Sequence, residues 1–151
     1  MMTVRTLATL VVGVAIGYLA AHLWRPAAIV PHPAAVTACP WPDSLDAVAA
    51  APGNHRVVLE NEHVRVLDVS VAPGEREPLH AHCRRSVMVV MQEGVYRDYD
   101  ADGHVVEAVD TAPAASQFPM TLWLEPQPPH AVHNLDSRAT RLLRIELKGN
   151  R

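Results

Sequence analysis

Phenylalanine occurs once and cysteine twice in this chain of 151 residues. With aromatics at 5%, valine and leucine have to fill most of any core. Two cysteines, Cys39 and Cys83, cannot build a disulfide scaffold, and they lack the paired spacing of a zinc ribbon. A basic excess is missing too. The formal net charge is −3, which gives no electrostatic footprint for nucleic acid, so no nucleic-acid partner is expected. The chain has no nucleophile elbow, phosphate loop, dinucleotide fingerprint or zinc-protease helix. Serine-hydrolase and nucleotide chemistry are therefore not suggested, and no internal repeat is visible.

What the chain does have begins with a charge-free run between Arg5 and Arg25, apolar from Leu7 to Ala21. As a helix rising ~1.5 Å per residue it spans roughly 28 Å, close to a bilayer core. Tyr18 and Trp24 suit an interface, and Arg25-Pro26 ends the run. An uncleaved anchor is the expected reading, because no small-x-small cleavage site directly follows. A cleaved signal peptide, leaving a secreted protein, is the alternative. Residues 1–5 are then a cytoplasmic tip and 6–25 a single inner-membrane span, with the rest on the periplasmic side. Gly13, Gly17 and Ala21 form a small-residue stripe. It is either a helix-pairing face, hence a homodimer, or ordinary span composition. Residues 26–54 are rich in Pro and Ala and read as an extended linker with a short helix near 44–50, stopped by Pro52-Gly53.

From residue 55 to 151 the pattern changes to short, valine-rich segments broken by Gly, Pro and Asp turns. Segments such as Val64–Val71, Ser86–Met91 and Thr140–Leu147 predict an all-β sandwich or barrel. Nine histidines are many for this length. His80 and His82 are two apart, so an extended strand puts both on one face. His130 is a distant third imidazole. The three make a candidate set for Fe, Mn, Ni, Cu or Zn, with proton competition expected as pH falls through ~6.5. Val87, Val89 and Met91 share a strand face and are expected to line an apolar pocket. Trp123 is read as core or pocket wall, and Arg84 as a candidate anion contact at its mouth. Cys83 is read as an edge thiol, with pairing to Cys39 the alternative. Asp98, Asp100 and Asp102 are read as turn residues.

Gly74, His80, His82 and Gly94 match in position the first motif of the cupins, G-x5-H-x-H-x3–4-E-x6-G, and His130 with Asn134 matches the H-x3-N end of the second. From about His55 to Lys148 the chain resembles a small single-domain cupin. That resemblance implies a cupin-type β-barrel, or jelly roll, behind the membrane helix and linker. It also implies a metal at His80, His82 and His130. Two departures stand out. The motif glutamate would fall at Ser86 or Val87, and Glu125-Pro126-Gln127-Pro128-Pro129 replaces a P-x-G turn. The expected function is a membrane-anchored, extracytoplasmic domain that binds a small-molecule ligand and a divalent metal. The alternative is an Fe-type dioxygenase or isomerase. The retained histidines favour the enzyme, and the lost carboxylate favours the binder.

Overall fold

Alternation of valine and leucine with polar residues over Val64–Val71 builds one of the framework strands. The computed structural model describes residues 39–149. The expected membrane span and the start of the linker lie outside them. Among the described residues no helix is long and apolar enough to cross a membrane. Nine strands follow a 3-10 turn, Asp43–Leu45, and a one-turn helix α1, Ala47–Ala50. They are β1 His55–Glu60, β2 Val64–Val71, β3 His80–His82, β4 Ser86–Gln92 and β5 Tyr96–Asp100, then β6 Val105–Val109, β7 Met120–Leu124, β8 Gln127–Asn134 and β9 Thr140–Leu147. They form two antiparallel sheets, ordered β1-β2-β9-β4-β7 and β3-β8-β5-β6. The expected jelly roll is thus present as two facing sheets.

Strand β9 is central. It pairs with β2 from Val64↔Leu147 to Val71↔Thr140, and with β4 on its other side. Its inward row is Leu142, Arg144 and Glu146, all buried. The core proper is Leu67, Val69, Val90 and Leu142, backed by Val48, Met88, Phe118 and Met120. The turn before β3 needs Gly74, whose φ of +73° lies in the left-handed region. Gly74 N–H donates to the Asn134 carbonyl at 2.9 Å, and Asn134 N–H donates back to Glu75 O at 2.9 Å. Asn134 Nδ2 also donates to Val71 O and Arg138 O. One knot of hydrogen bonds, centred on buried Asn134, therefore joins the first motif's glycine to the second motif's asparagine.

The linker expected to run to residue 54 is shorter than that, since residues from Cys39 onward pack on the barrel. Ala47 and Ala51 are fully buried, and Asp46 pairs with Ala81 in an isolated β-bridge. Asp46 also caps α1, accepting from Val48 N–H at 3.1 Å. Cys39 and Cys83 form a disulfide with Cα atoms 5.2 Å apart. The edge-thiol reading of Cys83 is thereby corrected: the folded-back segment brings Cys39 to it, a contact that sequence distance conceals.

Candidate metal centre and ligand cavity

Register places the strand of the first two candidate ligands against that of the third. His80 on β3 lies opposite His130 on β8. The His80 and His130 rings are 4.5 Å apart by centroid, His80 and His82 5.1 Å, and His82 and His130 5.7 Å. All three residues are buried. Each turns its Nδ1–H to a fixed acceptor. His80 donates to Pro78 O at 2.9 Å, His130 to Pro128 O at 2.8 Å, and His82 to Glu146 Oε1 at 3.0 Å. A carbonyl, or a carboxylate paired with Arg65 as Glu146 is, can only accept, so the tautomer is set and Nε2 of the neutral ring is left with its lone pair. Holding the far nitrogen of a ligating histidine in this way orients the ring for a metal.

A fourth imidazole, His55, was not anticipated. Its ring lies 4.5 Å from that of His80 and 5.3 Å from that of His82. Ligand atoms of His55, His80 and His82 all come within 4.8 Å of one another. His55 Nδ1 has no hydrogen-bond partner and faces Glu77 Oε1, also unpartnered, at 3.9 Å. No motif marks His55, and the rest of β1 is exposed. Its one sequence-level signal is its place at the strand's start, just after the Gly53 turn. Register opposite Val69 turns it inward.

Burial keeps these rings neutral. It drives His80 down to about 3 and His55 to about 4, and holds His82 well below the usual range. His130 is lowered by burial too, against the pull of Asp98. Proton competition near pH 6.5, expected from free histidine, is thus displaced to more acid pH in the folded site. His55, His80 and His82 are the three whose ligand atoms converge, and His130, expected as the third ligand, stands beside that group and not in it; neutral imidazoles are donors that a soft or borderline divalent ion accepts.

Although the motif carboxylate is missing, one arrives by another route. Ser86, one of the two positions at which the motif glutamate would fall, pairs across the sheet with Glu146. Glu146 holds His82 and accepts from Arg65 Nε at 2.6 Å. Arg65 in turn grips both oxygens of Asp46, at 2.9 and 2.8 Å. Burial alone would make Arg65 less basic, but these two carboxylates outweigh it and raise its pKa. A continuous chain of charge-assisted bonds therefore runs from the folded-back segment to a histidine of the cluster.

Beside the histidines, a cavity of about 330 Å³ opens between the sheets, of a size that suits a small molecule. Its apolar wall comes from Val69, Val71, Met88, Leu122, Leu124 and Leu142, and its polar side from Glu77, Asp98, Gln127, His130 and Arg144. Val87, Val89, Met91, Trp123 and Arg84, expected at the pocket, are not among its lining. Strand phase explains the correction: Ser86, Met88 and Val90 point inward, and one residue of shift reverses every side chain. Trp123 is 51% exposed and donates to Glu125. Arg84 Nη1 lies 3.9 Å from Glu146, outside the cavity. Asp98, read as a turn residue, is buried in the lining, whereas Asp100 does serve the turn, accepting from Asp102 and His104 N–H. Burial raises Glu77 to about 8, reinforced by the charges of Asp98 and Glu75.

No family model matches the chain, and no curated protein matches it by sequence. Solved structures do. A cupin domain from Bordetella pertussis Tohama I is 22% identical, with a TM-score of 0.50 over 63% of this chain and 92% of that one. A double-stranded β-helix protein from Klebsiella pneumoniae is 20% identical, TM-score 0.46, covering 65% and 75%. An RmlC-like cupin from Methanocaldococcus jannaschii is 12% identical, TM-score 0.45, covering 62% and 77%. The first likeness shows the fold, that of a cupin, and leaves the chemistry to the site.

Proposed function

We propose that this cupin-fold chain is a membrane-anchored, extracytoplasmic binding protein that holds a divalent metal among His55, His80, His82 and His130 and takes a small-molecule ligand in the adjoining cavity. The observation that carries the metal is the tautomer lock: three buried rings tied through Nδ1, each leaving Nε2 as a lone pair. When bound, the metal would supply a Lewis acid with imidazole ligands. The chain's own residues orient the rings, exclude water and shape the cavity. The apolar run from Leu7 to Ala21 motivates the anchor, and the Cys39–Cys83 disulfide supports an oxidising compartment.

A second reading, a metal-dependent enzyme, is favoured by Glu77. Its buried Oε1 lacks a partner at the cavity wall, and a carboxyl raised to about 8 can give or take a proton near neutral pH. Metal analysis of the purified full-length protein after loading with Zn²⁺, Fe²⁺, Ni²⁺, Cu²⁺ or Mn²⁺ tests the shared premise. About one equivalent per chain is expected. His82→Ala should lose most of it and His133→Ala little. Retention of no metal under any loading condition, or equal loss in both variants, would defeat the metal reading. Location is checked by fractionation with and without residues 1–25; a full-length protein found soluble in the cytosol would defeat the anchor.

A further inference from the structure

Arg144 is the least satisfied charge in the described domain. It is 3% exposed, and register sets it between Leu67 on β2 and Met88 on β4, neither of which offers an acceptor. Nη1 donates to Gln127 Oε1 at 2.6 Å. Nε and Nη2 donate to nothing, and both are shielded from solvent. Unmade bonds on a buried cation are costly. These two nitrogens also share one edge of the guanidinium, where two parallel N–H bonds match the spacing of carboxylate oxygens. The residue lines the cavity, beside the histidines and on the same sheet as the apolar wall of Met88, Leu122, Leu124 and Leu142.

We propose that Arg144 anchors the carboxylate of an apolar-tailed organic acid, whose tail lies along that wall. This deepens the proposed ligand site but does not depend on the metal. A monoanion fits better than a phosphate dianion. Arg65 is saturated by Asp46 and Glu146, and Arg84 is not in the lining, so a single guanidinium edge is on offer. The acidic neighbours do not cancel it. Glu146 is already bonded to Arg65 and His82, and Glu77 turns its Oε1 toward His55 Nδ1, 3.9 Å away, and makes no hydrogen bond to Arg144. The ligand carboxylate then gives the guanidinium edge the two acceptors it lacks.

Calorimetric titration of the full-length protein in detergent, against micelle blanks, with hexanoate and with hexanamide tests this directly. Hexanoate should bind roughly tenfold or more tightly than the amide, in metal-free protein as well as Zn²⁺-loaded protein. Arg144→Gln should weaken hexanoate by about thirtyfold or more, and Arg144→Lys should keep part of the affinity as a point charge. If Arg144→Gln fails to fold, the acid–amide comparison on the wild type still decides. Equal affinity for acid and amide, or no binding of either, would overturn the proposal and leave Arg144 as a water-bridged partner of Glu77. Hexanoate binding that needs Zn²⁺ and survives Arg144→Gln would place the carboxylate on the metal and overturn it as well. Arg144-dependent binding in a protein that never retains Zn²⁺ would sustain the anchor and remove the metal reading alone.

Discussion

Replacing Glu77 by glutamine should stabilise the metal-free protein, and more so as pH rises. Glu77 is 5% exposed, and Oε1 has no partner. Burial raises its pKa from 4.5 to about 8, with Asp98 and Glu75 adding repulsion, while the Val132 backbone and Arg144 pull the other way. The sign follows from linkage. Above pH 4.5 the unfolded chain gives up this proton while the folded one keeps it, so stability falls with rising pH until the folded group ionises too. The penalty is absent below pH 4.5, grows to about pH 8, and is constant beyond. At ~1.4 kcal/mol per unit it reaches on the order of 3–5 kcal/mol. Glutamine keeps the shape without the charge. Urea unfolding of both proteins, metal-free, at intervals between pH 4.5 and 8.5, should give curves that coincide at the acid end and diverge toward the alkaline end. A glutamine variant less stable than wild type at pH 8, or a difference independent of pH, would refute the reasoning.

Arg65→Met strips Glu146 of its hydrogen-bonded cation in a fully buried place, leaving only Arg84 at 3.9 Å; urea unfolding at pH 7 should show a loss of about 3–5 kcal/mol, whereas a loss within about 0.5 kcal/mol, the size of an ordinary surface substitution, would mean the network is slack. The Cys39→Ser, Cys83→Ser pair opens a bridge of sequence separation 44 and should lower stability by about 2–4 kcal/mol, measured against the oxidised wild type. A fragment beginning at Ala34 should melt cooperatively and well above one beginning at His55, which lacks Asp46, buried Ala47 and Ala51, and Cys39. Equal melting temperatures by circular dichroism would show that the folded-back segment contributes nothing.

Local pattern was enough for the strands and for the His-x-His pair. A period of two is written residue by residue, and valine-rich alternation around turns admits few other structures. The spacing of Gly74 to His80 and of His130 to Asn134 was likewise legible, because Gly74 and Asn134 close one knot at the ends of the two motifs. Phase was not. Ser86 and Val87 are neighbours, and only the sheet's register with β9 decides that Ser86, Met88 and Val90 point inward. Contacts across the chain were hidden for a similar reason. His55 joins His80, Cys39 joins Cys83, and Glu146 reaches His82 over a separation of 64 residues. Nothing in the spacing of such residues encodes which strands lie side by side. Arg144 shows the same division: the sequence supplies an arginine on an alternating strand, and tertiary burial between Leu67 and Met88 leaves it with one guanidinium edge unpaired.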